Sequence, residues 1–260
     1  MRKKVTAVGC LVAPTVTRVI VPALLVAMGG AAAAQVASIR KETVQFAKGA
    51  SEATIKATLQ GDQTIDYHVR AAAGQTLAVT LQAANRSNYF NVLPPGSSDV
   101  AMFVGSTGGS TYKGMLPDDG DYVVRVYLMR NAARRNEKSD YILTVGVTGK
   151  ALAPVAASKD ALVPGTRFHA SGTITCTPPF AMAPGQCEAS VVRRGTDGTA
   201  TVEIRPKGQG TPRRILFVAG KPAASDATEK MTATRQGDDT LISIGADERY
   251  TIPDALVVGG

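Results

Sequence analysis

The side chains in this sequence best placed for chemistry are arginines. Between the strand-like run at residues 122–129 and Tyr141 stand Arg130, Arg134 and Arg135, with Glu137 close behind. That interval is too long for a tight hairpin turn. Ala132 and Ala133 are good helix formers, so a single helical turn is expected at the tip. Such a turn aligns Arg130 with Arg134, four residues apart, and lets Glu137 brace Arg134 from three residues away. Arginine offers a rigid fork of donors that fits a carboxylate, which lysine does not. The chemistry expected here is recognition of an acidic partner; a solvated basic loop is the plainer alternative.

Catalytic groups are scarce. The two histidines, His68 and His169, lie far apart in the sequence, and His68 shares the polar parity of its strand with Asp66 and Arg70. Gly105-Ser106-Thr107-Gly108-Gly109-Ser110 lacks the order of a nucleophile elbow and follows no strand-to-helix pattern, so it reads as a flexible hairpin loop. Asp118-Asp119-Gly120-Asp121 could attract calcium. It lacks the twelve-residue loop and closing glutamate of an EF-hand, and an Asx-rich turn is the expectation. No catalytic residue, metal site or cofactor is expected, and the chain is not read as an enzyme.

The elements that must hold the arginine tip are strands. Ile55, Ala57 and Leu59 alternate with Lys56 and Thr58; Ile65, Tyr67 and Val69 alternate with Asp66, His68 and Arg70; Leu77, Val79 and Leu81, and then Tyr141, Leu143, Val145 and Val147, repeat the pattern. A period of two marks strands with one buried and one wet face. Turn signals separate them at Gly61-Asp62, Ala73-Gly74-Gln75, Pro94-Pro95-Gly96 and Pro117-Asp118-Asp119-Gly120. In the second half Ala200, Val202 and Ile204 alternate with Thr201, Glu203 and Arg205, while residues 215–218 and 241–244 read as more fully buried strands. The expected fold is all-β: two small antiparallel sandwich or barrel domains, 43–148 and 164–260, joined by a linker at 149–163. No helix of three turns and no fixed-period repeat is expected.

Residues 1–34 are basic, then apolar, then small, ending in Ala32-Ala33-Ala34, the pattern of a cleavable signal peptide. Residues 35–42 form an arm ahead of the first domain. Export would place the chain in the periplasm or outside the cell, without a stable membrane span once the leader is removed. Retention of the leader as an anchor is the alternative, set against Arg18 in the middle of the apolar stretch. The chain has 29 Lys+Arg and 21 Asp+Glu. Removing the four basic residues of the leader leaves 25 against 21, or +4. That mild charge, with no Trp, gives little reason to expect nucleic acid binding. Beyond the leader only Cys176 and Cys187 remain. In an oxidising compartment a close pair reads as one disulfide.

Three stretches carry a family resemblance: Asn88-Tyr89-Phe90-Asn91-Val92-Leu93-Pro94-Pro95-Gly96, Leu116-Pro117-Asp118-Asp119-Gly120-Asp121-Tyr122, and the run from Arg125 to Glu137. Together they resemble the periplasmic inhibitors of goose-type lysozyme across residues 43–148. Gly74-Gln75-Thr76-Leu77 and the Asp-Gly-Asp-Tyr turn are also similar to the pre-peptidase C-terminal domains of secreted bacterial proteins. Residues after Val163, with Arg249-Tyr250-Thr251-Ile252-Pro253-Asp254-Ala255, resemble a C-terminal module of secreted bacterial proteins to which no activity attaches. The first resemblance implies a small β-sandwich whose partner is a goose-type lysozyme. It implies partner contact through Arg130, Arg134 and Arg135, any of which could enter the enzyme's cleft, with Tyr89 and Asn91 on a neighbouring loop. A glycan-binding or structural envelope module that touches peptidoglycan is the alternative function.

Overall fold

The computed structural model describes Gly9 and residues 39–208 and 211–259. Apart from Gly9, the expected signal peptide lies outside the described residues, as do residues 35–38 of the arm. The rest is all-β. In chain order the first half contains β1 (Arg40–Thr43), β2 (Glu52–Gln60), β3 (Thr64–Ala71), β4 (Thr76–Ala83), β5 (Asn88–Leu93), β6 (Phe103–Val104), α1 (Gly105–Gly108), β7 (Thr111–Met115), β8 (Gly120–Leu128), α2 (Arg130–Arg134) and β9 (Lys138–Thr148). One sheet has the order β1-β3-β8-β5-β6 and the other β2-β9-β4-β7. Their inner faces share one core containing Tyr67, Val69, Leu77, Val79, Phe90, Val124 and Leu143. The period-two residues are therefore inward-facing, as read from the sequence. A hydrogen bond of 2.7 Å joins the Tyr67 and Tyr141 hydroxyls across the two sheets.

The second half contains β10 (Ala170–Thr177), β11 (Gly185–Arg193), β12 (Ala200–Pro206), β13 (Arg213–Val218), β14 (Lys221–Ser225), β15 (Met231–Gln236), β16 (Asp239–Ile244), β17 (Glu248–Pro253) and α3 (Asp254–Val258). These strands form one sheet in the order β14-β13-β12-β11-β10-β17-β16-β15, curled into a nearly closed barrel. Its core gathers Ile174, Val191, Val202, Ile204, Ile215, Phe217, Ile242 and Ile252. No helix among the described residues is long and apolar enough to cross a membrane.

Cys176 and Cys187 form the expected disulfide, with 5.8 Å between their Cα atoms. The cross-link closes the connection between β10 and β11, and both cysteines are buried in the barrel core. Replacing both by serine should lower stability by about 3 kcal/mol through regained loop entropy, read as a lower midpoint in urea. An unchanged midpoint would show that the staple contributes nothing to global stability.

Two expectations from the sequence need correction. Alternation along β12 predicts a wet face for Thr201 and Glu203, yet they are only 1% and 5% exposed. The Pro117–Asp121 turn of the first half covers that face: Thr201 Oγ1 donates to the Pro117 carbonyl at 2.7 Å. Asp118 accepts from Arg167 Nη2 at 2.6 Å and from Arg194 Nη2 at 3.0 Å, and Arg214 Nε lies 3.2 Å away. Asp119 accepts from Arg194 Nη1 at 2.9 Å. The acidic turn thus forms the centre of an ionic join between the two halves. It also ties back on itself, because the buried Tyr122 hydroxyl donates to the Asp118 carbonyl at 2.8 Å.

The second correction concerns residues 105–110. Their first part is a helical turn, α1, where a flexible hairpin loop was expected. Close packing explains it: a Cβ on Gly105 would sit 2.3 Å from the Phe90 carbonyl oxygen. Only glycine lets this turn lie against β5.

Candidate functional site

The arginine tip is built as its residue types suggest. β8 and β9 belong to different sheets, and the chain crosses between them through α2. Met129 N–H donates to the Ser87 carbonyl at 2.8 Å, and Ala133 N–H donates to the Met129 carbonyl at 2.9 Å. Ala132 is fully buried and Ala133 packs against the sandwich core. With the small residues facing inward, Arg130, Asn131, Arg134 and Arg135 face solvent. Asn136 ends the turn in the left-handed conformation, with φ of 54°. Its side chain crowds Gly61 in the adjoining turn, where a Cβ would approach Asn136 Oδ1 to 2.7 Å.

Glu137 does not brace Arg134. Its Oε1 accepts from Arg135 Nε at 2.7 Å, and its Oε2 accepts from Asn85 Nδ2 at 2.8 Å. Helical spacing would have favoured Arg134, but the helix stops before Glu137 and the backbone turns away at Asn136. The Asn85 amide, then Arg135, hold the Glu137 carboxyl below the usual carboxylate range. Arg135 is consequently tied back to the body. Arg130 and Arg134 have no ion-pair partner among the described residues.

Tyr89 and Asn91 are not on a loop. Both lie within β5, which hydrogen-bonds to β8, so that Tyr89 stands opposite Tyr127 and Asn91 opposite Arg125. The Asn91 side-chain oxygen Oδ1 accepts from Tyr127 OH at 3.2 Å and from Gly105 N–H at 3.3 Å. Asn91 thereby anchors α1 to the sheet. Tyr89 is half-buried and lines a cavity of about 270 Å³ with Arg86 and Ser110. The structure brings the three arginines together on one short tip and assigns Asn91 an internal role.

Among the described residues no cluster of three or more His, Cys, Asp or Glu is arranged to hold a metal ion. Of the two histidines, His169 accepts from Arg193 N–H through Nδ1 at 3.0 Å and lies 3.0 Å from the Val155 carbonyl through Nε2, which places it in the packing of the linker. The tip's capacity is for donating charged hydrogen bonds from exposed guanidinium groups.

No family model matches the sequence, and no curated protein does. Solved structures do. A periplasmic lysozyme inhibitor of g-type lysozyme from Aeromonas hydrophila is 37% identical, with a TM-score of 0.40, and the match covers 42% of this chain and 97% of that one. Part of this chain is similar to such inhibitors. The corresponding inhibitor from Salmonella Typhimurium is 25% identical, with a TM-score of 0.35, matched over 43% of this chain and all of its own. A mutant of the Escherichia coli inhibitor is 27% identical, with a TM-score of 0.34 and the same coverage.

Proposed function

We propose that this chain is an exported, non-catalytic protein that inhibits goose-type lysozyme by inserting its arginine tip into the enzyme's acidic cleft. The observation that carries the reading is the tip itself: Arg130 and Arg134, exposed and without an ion-pair partner among the described residues, at the two ends of a helical turn whose inner alanines are packed into the core. The sequence resemblance across residues 88–96, 116–122 and 125–137 supports a goose-type lysozyme as the partner. A lysozyme cuts glycan with a carboxylic acid kept protonated in its cleft. A guanidinium brought beside that acid favours the ionised form, which removes the proton that the reaction donates. The inserted tip also occupies the space of the sugar. Charge-assisted bonds made in a desolvated cleft are among the stronger polar contacts available.

The test is lysozyme inhibition by the chain from Gln35 onward, measured separately against goose-, chicken- and invertebrate-type enzymes, with complex formation followed by gel filtration. Selective inhibition of the goose type, with a co-eluting complex that needs no peptidoglycan, is expected. Absence of inhibition and complex with all three enzymes would overturn the reading. Retention on peptidoglycan alone would favour the envelope-module alternative.

A further inference from the structure

At the far end of β5 from the tip, the first half and the barrel enclose a groove with a different chemistry. One compartment, of about 610 Å³, lies between the Pro94–Val100 loop and the barrel residues Phe180, Pro206, Pro212 and Tyr250. A second, of about 240 Å³, continues toward Glu229 and Asp247. Val100, Pro179, Phe180 and Arg213 line both compartments, which makes them one groove. Its size falls within the usual range of ligand clefts.

The walls are held in place. Ser97 Oγ donates to the Val100 carbonyl at 2.7 Å and accepts from Val100 N–H at 3.0 Å, which fixes the loop on one side. Arg125 Nη1 grips the Ser98 carbonyl at 2.9 Å, and Thr228 Oγ1 reaches across from the barrel to the Ala101 carbonyl at 2.9 Å. On the other side the loop bearing Phe180 is closed by the Cys176–Cys187 disulfide. Phe180 adopts φ of 64° and its side chain is 96% exposed. A bulky residue in the left-handed region with its ring in water is strained and unburied at once, a combination that points to a functional role.

The groove's polar groups decide what could occupy it. Four of its wall residues are prolines (Pro94, Pro179, Pro206 and Pro212), which have no N–H to donate. Arg213 is the one cation among the described lining residues, and it is already engaged. It donates to Glu248 through Nε and Nη2 at 2.9 and 2.7 Å and to Asp226 through Nη1 at 3.0 Å. Asp99, Glu229 and Asp247 stand exposed on the rim, with no ion pair among the described residues. Ionised carboxylates only accept hydrogen bonds. The occupant must therefore bring donors, positive charge and an apolar surface for Phe180 and the prolines, and an aromatic face adds its own attraction for a cation.

From this groove, the carboxylates on its rim and the strained, exposed Phe180, we infer that the junction between the two halves binds an extended basic segment of a protein partner, lysine or arginine alternating with apolar residues. The site is independent of lysozyme inhibition. β5 joins the tip at Asn88 to the groove loop at Leu93, a separation of about 20 Å at strand rise. Both surfaces can be engaged at once.

Fluorescence anisotropy tests this. A labelled short peptide alternating lysine and leucine is titrated with the full mature chain. Saturable binding is expected, weakened about tenfold or more by Phe180→Ala and by Asp247→Lys, with wild-type melting temperatures for both variants because both positions are exposed. A matched peptide alternating glutamate and leucine should not bind, and Arg134→Glu should leave lysine-peptide binding unchanged. The inference is overturned by absence of saturable binding, by equal binding of the glutamate peptide, or by binding indifferent to both groove substitutions. Phe180-dependent attachment to phosphatidylglycerol vesicles without peptide binding would also overturn it and make the loop a membrane contact.

Discussion

Reversing the charge of both free arginines, Arg130→Glu with Arg134→Glu, is expected to abolish the complex with goose-type lysozyme while the protein melts as the wild type does. The two side chains point into solvent and make no ion pair among the described residues, so surface substitution costs the fold little. In the proposed complex each guanidinium faces acidic groups in a cleft that excludes water. Losing one partner of such a pair costs about 2–5 kcal/mol, and replacing it by a like charge adds repulsion. Two reversals should weaken inhibition by roughly a thousandfold or more. Arg135→Ala should do less, because Glu137 already holds that guanidinium against the body. Inhibition at the wild-type level by the folded double variant would sink the proposal for the tip. Equal losses from Arg135→Ala and from the double variant would show that Arg135 leaves Glu137 on binding.

Much of this tip was legible before the structure. Its helical turn follows from Ala132 and Ala133 between two strands of strong alternation, a property of neighbours in sequence. The choice of Arg135 over Arg134 by Glu137 was not legible, because it depends on Asn85, which is 52 residues away and holds the other carboxylate oxygen. Asn91 was misread for a related reason. Its stretch ends in Pro94-Pro95-Gly96, which suggests a loop, whereas pairing with β8 makes it a strand. The burial of Thr201 and Glu203 shows the same limit on a larger scale. Alternation in one strand reports that strand's own two faces, and here a turn from about eighty residues earlier covers the face that the pattern marked as wet. The fold class survived because alternation is local; the join between the halves escaped because it is ionic and long-range.

That join carries the second large effect. Asp118→Ala should destabilise the chain by about 3–5 kcal/mol, the usual cost of stranding a buried charge by removing its partner. Asp118 is 1% exposed and the Arg194 side chain is fully buried against it. Without Asp118, Arg194 retains Asp119, Thr201 Oγ1 and the Leu152 carbonyl, Arg167 is left with Glu203 alone, and Arg214 is left with Glu203 and the more distant Asp226. For a chain of this size the loss corresponds to a drop of roughly 10 °C in melting temperature. Asp118→Asn keeps the shape and one acceptor oxygen but not the charge, so a loss nearly as large would identify charge pairing as the source of the stability. Arg167→Met should cost less than either, since that guanidinium is 44% exposed and water can replace its partner. The nine residues of β8 separate Asp118 from the tip, about 30 Å at strand rise. Below its lowered melting point Asp118→Ala should therefore inhibit lysozyme as the wild type does. A variant that melts normally would show that the halves are held by something other than this network; one that stays folded yet loses inhibition would show that the tip depends on how they are joined.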